Sequence, residues 1–480
     1  MPGVPHLPVL RFGSAYESLD TIEVVDHRTK EPLAVVSQAN PGLLRRDLKQ
    51  LPAAAALLRE MPARELTAVC GRAAELFAGA ELPQNERGDV QSPGQYLSRL
   101  SATSGMPESL CRSNLEKVAK VLREMPALLL GLTRGLDPEV LDTGLTEQAG
   151  LQLSYASASD GLAVILPSNS PGVNSIWLPS VALKTPVLLK PGREEPWTPM
   201  RIVQALIQAG CPKEAFGFYP TNHEGASLLL EGSGRALLFG DERTTLPYRQ
   251  NAAVQVHGPG RSKVILGPDE IDRFEEHLDL LVESVAGNGG RSCINASAVF
   301  VPGRGDEVAE ALAERLSSIE PRPLDDPEAA LCAFANPAFG KVIDAAIEEG
   351  LAQGGAEDRT AALRDGPRRV ELDGSTFLRP TVIRCQSVDH PLANTEFLFP
   401  FASVVEVAPE RMAEAIGPSL VVSAITRDRA LTEALIRSRL VQRLNMGPFP
   451  TTRVDWDQPH EGNLFEFLYS RRAIACHAEW

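Results

Sequence analysis

Between residues 162 and 258 short apolar runs alternate with helical patterns, and that alternation restricts the fold more than any other feature of the chain. The runs LAVIL, PVLLK, FGFYP, RALLFG and AAVQVHG read as strands, and VNSIWLPSVALK, PMRIVQALIQAG and ASLLLEGS between them read as helices. Strands joined through helices need right-handed crossovers, which produce a parallel sheet. The runs lack polar alternation, as expected of a sheet covered on both faces. Sheets of this kind bind ligands beyond the carboxyl ends of their strands. No GxGxxG fingerprint follows any of these strands, which argues against a standard dinucleotide site and leaves a variant one open. A second α/β segment is expected from about residue 262 to 427, with helices over RFEEHLDLLVESVAG and EVAEALAERLSSI.

That second segment carries the stretch VAGNGGRSCINASAVFV, residues 285–301. A glycine-rich polar turn leads to Cys293 and an apolar strand leads away, which leaves a thiol at the mouth of a loop. Gly287, Gly289 and Gly290 let backbone amides approach whatever the sulfur attacks. Arg291, two residues before the cysteine, is a cation expected to favour the nucleophilic thiolate. The competing reading is a buried cysteine acting as a small hydrophobe. Cys211, in QAGCPKEAF at a helix end, is expected to be packing of that kind.

The flanking segments are simpler. IEVVDHRTKEPLAVV resembles a hairpin within a small N-terminal sheet, and residues 40–137 space their apolar positions at three and four, as amphipathic helices do. Residues 151–159 suggest an edge ribbon, and the charged stretch 356–374 suggests a solvated surface. The tail, NLFEFLYSRRAIACHAEW, suggests an apolar strand over 464–474 whose uncovered edge invites pairing with another subunit. The expected division is 1–256 (helical region and nucleotide domain), 257–435 (catalytic domain) and 436–480 (return and oligomerisation strand). With 43% apolar residues the chain can build sizeable cores, and a net charge of −15 disfavours nucleic acid and anionic membrane as partners. Seven cysteines, scattered singly, look like reduced cytoplasmic thiols, with no disulfide framework and no metal site. Cys476 beside His477 reads as incidental. No run reaches the roughly 18 apolar residues of a membrane span, and MPGVPHLPVLRFG lacks the pattern of a secretory signal.

From about residue 161 to the C-terminus the residues resemble the aldehyde dehydrogenase superfamily. NGGRSCINASAVFV is similar to the family's nucleophile loop, with Cys293 as nucleophile. LPSNSPG resembles the turn whose asparagine, here Asn169, helps form the oxyanion hole together with the Cys293 amide. LLKPGREEPWTP resembles the strand end whose lysine, here Lys190, holds the adenosine ribose, and TEFLFPF the segment whose glutamate, here Glu396, holds the nicotinamide ribose. The resemblance places Pro167, Ser168, Phe239 and Gly240 along the cofactor as well. It implies a three-part fold: a variant Rossmann nucleotide domain, a catalytic domain and an oligomerisation hairpin, assembled as a homodimer or higher homo-oligomer.

Two departures shape the expected chemistry. Hydrolytic members carry a glutamate that activates water, and aligning VQVHGPGRSKVIL puts His257 at that position. Thioester-forming members lack the glutamate too, and the resemblance extends to the acyl-CoA reductases related to the bacterial bioluminescence fatty acyl reductase. The expected activity is therefore NAD(P)H-dependent reduction of an acyl-CoA to an aldehyde, reversible as a CoA-acylating aldehyde dehydrogenase, with CoA as co-substrate. The alternative is a hydrolytic aldehyde dehydrogenase giving a carboxylic acid. His257 could act as a base, since imidazoles titrate near neutrality, brace the HGPG turn, or point away from the site. Arg193 stands where NAD-preferring members often carry a glutamate, and its planar fork suits a 2′-phosphate, so NADP is favoured over NAD. A small loop shift would instead bring Glu194 or Glu195 into that place.

Overall fold

The computed structural model describes residues 4–475 and contains two seven-stranded sheets, each covered by helices. In the first, the strands Val254–His257, Gly234–Phe239, Gly161–Ile165, Val187–Lys190 and Phe216–Phe218 lie side by side in that order, all parallel. Gly161–Ile165 is buried along its whole length, as the unbroken apolar run requires. Two short N-terminal strands, Val9–Arg11 and Ser14–Tyr16, extend this sheet antiparallel at its edge. The expected hairpin forms between Thr21–Val25 and Pro32–Ser37.

The second sheet orders Thr381–Cys385, Phe401–Glu406, Ala296–Val301, Ser262–Leu266, Ser419–Ile425 and Val441–Met446 in parallel, with Ala356–Asp358 antiparallel on the edge. The chain thus passes from the first sheet to the second across residues 258–261, GPGR. The helices Ala63–Gly79 and Glu108–Arg123 pack on each other and on the first sheet's helices, sharing one core with Leu162, Val164 and Leu189.

Most of the stretch 356–374 is exposed, as its charge suggests, although Arg368 within it is buried and joins Asp344, Glu348 and Asp358 through its guanidinium. One expectation is corrected. The tail is not one apolar strand. Leu464–Leu468 is a helical turn capped by Asn463, and only Tyr469–Arg472 is a strand, paired antiparallel with Leu151–Ser157, which in turn pairs with Leu145–Gln148. Cys476 and His477 lie outside the described residues. Among the described residues no helix is long and apolar enough to cross a membrane.

Candidate active site

The carboxyl ends of the first sheet's strands and the turn before Ala296–Val301 face each other across a cleft of about 590 Å³, within the usual range for small-molecule sites. Pro167, Ser168, Asn169, Phe239, Gly240, His257, Cys293 and Glu396 all line it. Of the ten residues singled out from the sequence, Lys190 and Arg193 are the two outside this lining.

The nucleophile loop is held from within. Asn288 and Gly289 take left-handed backbone angles, φ +54° and +66°, which turn the chain sharply before the cysteine. Asn295 accepts from the Ser292 amide (2.9 Å) and donates to the Gly287 carbonyl (2.9 Å), and the Ser262 hydroxyl donates to the Cys293 carbonyl (3.0 Å). Gly260 approaches so closely that a Cβ there would lie 2.0 Å from the Cys293 carbonyl oxygen, so the HGPG turn and the cysteine are locked together.

Cys293 is partly exposed in the cleft. The packed protein around it pushes its pKa well above the ordinary thiol value, the carboxylates of Glu461 and Glu396 push the same way, and the Lys117 ammonium opposes them. Arg291, expected to be the activating cation, is not. Its guanidinium turns away, donates to the carbonyls of Ser104 (3.2 Å) and Ala333, and lies over the Phe334 ring. The cation that acts on the sulfur is Lys117, from a distant helix.

The Asn169 amide donates to the Arg291 carbonyl (2.9 Å), which fixes it against the nucleophile loop. An amide has two N–H donors, so one remains for an oxyanion. The Glu396 carboxylate accepts from the Arg261 amide (2.5 Å), and burial raises its pKa to about 7.

His257 ends its strand buried, 3% exposed and stacked on Phe239 with ring centroids 4.5 Å apart. Its Nδ1 is hydrogen-bonded to the Glu461 carboxylate, whose other oxygen accepts from the Gly258 amide (3.1 Å). Nε2 is buried and has no partner among the described residues. Burial alone would raise the Glu461 pKa, but His257 beside it holds it below the ordinary carboxylate value. Glu461 itself has φ +52°, a left-handed angle that is uncommon for a residue with a side chain and collects at functional sites. The sequence carried no spacing signal for Glu461 or Lys117, since both reach the cysteine only through the tertiary fold.

The cofactor side fits a dinucleotide. Ser168 follows the first parallel strand, and its hydroxyl accepts from the Glu194 amide (3.2 Å). Lys190 ends the neighbouring strand; burial lowers its pKa, and Glu194 counteracts that. Glu194 lines the cleft, whereas Arg193 is exposed and makes no ion pair among the described residues. Glu195 is buried and accepts from the Thr198 amide (2.8 Å) in the first turn of the helix Trp197–Gln208. Of the two candidates for the 2′-phosphate position, Glu194 lies in the cleft and Arg193 lies outside its lining.

A parallel-sheet domain facing a cysteine on a glycine-rich turn is the arrangement that the resemblance to the aldehyde dehydrogenases implies. The description "Aldehyde dehydrogenase family" matches residues 15–418, and the chain belongs to that family. It is 25% identical over 259 residues to the malonate-semialdehyde dehydrogenase of Listeria monocytogenes, a match covering 51% of this chain and 50% of that protein. The chain thus spans about half the length of the curated relative it matches. The aldehyde dehydrogenase KauB from Pseudomonas aeruginosa superposes with a TM-score of 0.77 at 18% identity, covering 98% of this chain and 96% of that one. The 3,6-anhydro-L-galactose dehydrogenase in complex with NAP gives 0.77 at 17%, covering 97% and 99%. At those identities the likeness is one of fold: the aldehyde dehydrogenase-like α/β arrangement of parallel-sheet domains. Neither the family nor the curated relative singles out the acyl-CoA reductase branch.

Proposed function

We propose that this protein oxidises an aldehyde to a carboxylic acid with NAD(P)+, through an acyl group carried on Cys293 and released to water. The Cys293 thiolate adds to the aldehyde carbonyl, and the charge that develops on oxygen is met by the Asn169 amide. Such donors are worth roughly 3 to 4 kcal/mol each. Bound in the cleft, NAD(P)+ supplies the hydride acceptor, with Lys190 and Glu194 placed for the adenosine ribose and Glu396 for the nicotinamide ribose. The thioester that oxidation leaves on Cys293 is then open to attack.

The observation that carries the hydrolytic reading is His257: it lines the same cleft as Cys293, its Nδ1 meets the Glu461 carboxylate, and Nε2 has no partner among the described residues, so with the proton on Nδ1 it is the nitrogen free to accept. A carboxylate behind an imidazole sets the tautomer and stabilises the imidazolium that forms when the base takes a proton. In this arrangement His257 removes a proton from water as the water oxygen bonds to the thioester carbon, the C–S bond then breaks, and the Cys293 thiolate is regenerated as the acid product leaves. Histidine paired with Glu461 thereby does what a single glutamate does in the hydrolytic relatives that the sequence resembles. The acyl-CoA reduction expected from the sequence has no comparable support. Incubation of purified enzyme with a panel of aldehydes and each nicotinamide, with CoA left out, tests the proposal. Carboxylic acid in step with reduced cofactor is the expected product. Turnover only on adding CoA, with acyl-CoA as product, would overturn it.

A further inference from the structure

Beside the His257–Glu461 pair lies a second, smaller cavity of about 30 Å³. It shares no lining residue with the cleft that holds Cys293. Close neighbours of the pair build its wall. Gln255 stands two residues before His257 on the strand Val254–His257, and residues two apart on a strand face the same way. His460 and Gly462 flank Glu461 in the chain, and they line the cavity together with Gln255. A Cβ on Gly462 would run into the Gln255 Nε2, so the turn that carries Glu461 rests on that strand.

Two residues of this wall carry a polar atom with nothing to bond. Ser175 is fully buried, and its Oγ has no partner among the described residues. The His460 Nδ1 is buried and equally unpartnered. Buried polar groups are almost always hydrogen-bonded, to protein or to ordered water. A water needs roughly 10 to 15 Å³ and at least two polar partners, so the cavity has the room and the partners to hold one. Burial lowers the His460 pKa to about 3; Glu461 opposes that shift, and Arg443, His257 and Lys117 add to it. His460 therefore rests neutral, with one ring nitrogen able to accept a proton while the other donates.

Release of the acyl group gives this arrangement a use. For each acyl group that water removes from Cys293, one proton passes from that water to His257. With the acyl group and the cofactor filling the cleft, Nε2 faces a site closed to bulk water. The proton must then leave from Nδ1, which meets Glu461. Next to Glu461 stands His460, whose Nδ1 opens on the cavity. We propose that His460 and the cavity water are the exit for this proton. Glu461 passes the proton from His257 to one ring nitrogen of His460, and the His460 Nδ1 releases one to the water held with Ser175. No other bond forms or breaks, and Glu461 and His460 return to their resting charges. The inference rests on the hydrolytic reading above and adds the route by which its proton leaves.

His460→Ala should slow release of the acyl group without touching oxidation. The burst of reduced cofactor then remains, and kcat and KM for the aldehyde fall together with kcat/KM unchanged. The fall in kcat should be smaller than the roughly 10²- to 10⁴-fold that loss of the base itself costs. Imidazole added to the buffer should restore the kcat of His460→Ala and not that of His460→Phe, whose ring fills the space. Ser175→Ala, which removes one anchor of the water, should show the same split in weaker form. Wild-type kcat in His460→Ala would overturn the relay and leave the hydrolytic reading standing. A His460→Ala variant that is slowed but not restored by imidazole would overturn it too, because His460 would then only brace the turn at Glu461. A wild type that gives no acid without CoA would overturn the hydrolytic reading, and the relay with it.

Discussion

The His257 imidazole and the Glu461 carboxylate, 204 residues apart in the chain, meet in a buried hydrogen bond. The same carboxylate holds the Gly258 amide, so it fixes both the ring and the turn that follows it. Gly258 and Pro259 lead into Gly260, which touches the Cys293 carbonyl. A single acidic residue from the segment preceding the tail therefore sets the position of His257 relative to Cys293.

Reactivity of Cys293 should climb with pH. The surrounding protein, Glu461 and Glu396 all disfavour the thiolate, so its pKa lies above the ordinary value of about 8.5. Alkylation by iodoacetamide, followed by mass spectrometry of the Cys293 peptide, should accelerate from pH 7 through pH 9 without levelling off. Lys117→Met removes the opposing cation and should move this limb further alkaline. A plateau below pH 8 in the wild type would contradict the electrostatics.

Cofactor choice should answer to Glu194 more than to Arg193. A carboxylate lining the cleft beside Lys190 repels a 2′-phosphate and can accept from ribose hydroxyls. Glu194→Gln should raise the NADP+/NAD+ ratio of kcat/KM by roughly tenfold, a charge-assisted contact's share of the binding free energy. A large shift toward NAD+ in Arg193→Glu, with no response at Glu194, would restore the expectation drawn from the sequence.

Much of this site was legible beforehand because strand ends and tight turns leave local marks. The unbroken apolar runs gave the parallel strands, and Asn169, Lys190 and Cys293 stand directly at their ends or turns. Arg291 misled through adjacency: its side chain is taken up by the Ser104 and Ala333 carbonyls, away from the sulfur it precedes so closely in sequence. Lys117 sits among the charges of RSNLEKVAKVLR, where a lysine reads as part of a solvated helix face. Nothing local distinguishes it, and only the packing of that helix against Asn288 and Ser170 brings it inward. Glu461 was hidden for the same reason, since its partner His257 belongs to the other sheet's last strand.

Glu195 should make the fold sensitive to alkali. Burial raises its pKa to about 8, above the roughly 4.3 of an unfolded glutamate. Its ionisation is thus resisted in the folded state, and the stability that the protonated form contributes is lost as pH rises between those values. Glu195→Gln keeps an acceptor for the Thr198 amide and removes that loss. Its melting temperature should exceed the wild type's by a few degrees at pH 8 to 9, with the gap closing toward pH 5. An equal gap at both pH values would count against this.

The outer hairpin should mediate self-association. Leu145 and Leu151 are 46% and 64% exposed on the strands that extend from Tyr469–Arg472. Exposed apolar side chains on a three-stranded sheet suit a symmetric contact between copies. A homodimer or higher homo-oligomer is expected by sedimentation at micromolar concentration, and Leu151→Glu should shift it toward monomer. A wild-type monomer under those conditions would exclude the contact.

The central claim is that Cys293 carries the acyl group and that His257, set by Glu461, releases it to water. General-base catalysis contributes roughly 10²- to 10⁴-fold, so losing the base should stall the enzyme after oxidation. The direct measurement is the intact mass of His257→Ala and His257→Asn after mixing with aldehyde and NAD(P)+ in the absence of CoA. The expected result is a rapid burst of reduced cofactor close to one per active site. A mass increase of one acyl group should follow, mapping to Cys293 and cleared by added thiol, while the wild type turns over to free acid with no such adduct. Wild-type turnover by both variants with an unmodified Cys293, or a wild type that stays acylated until CoA is added, would contradict it.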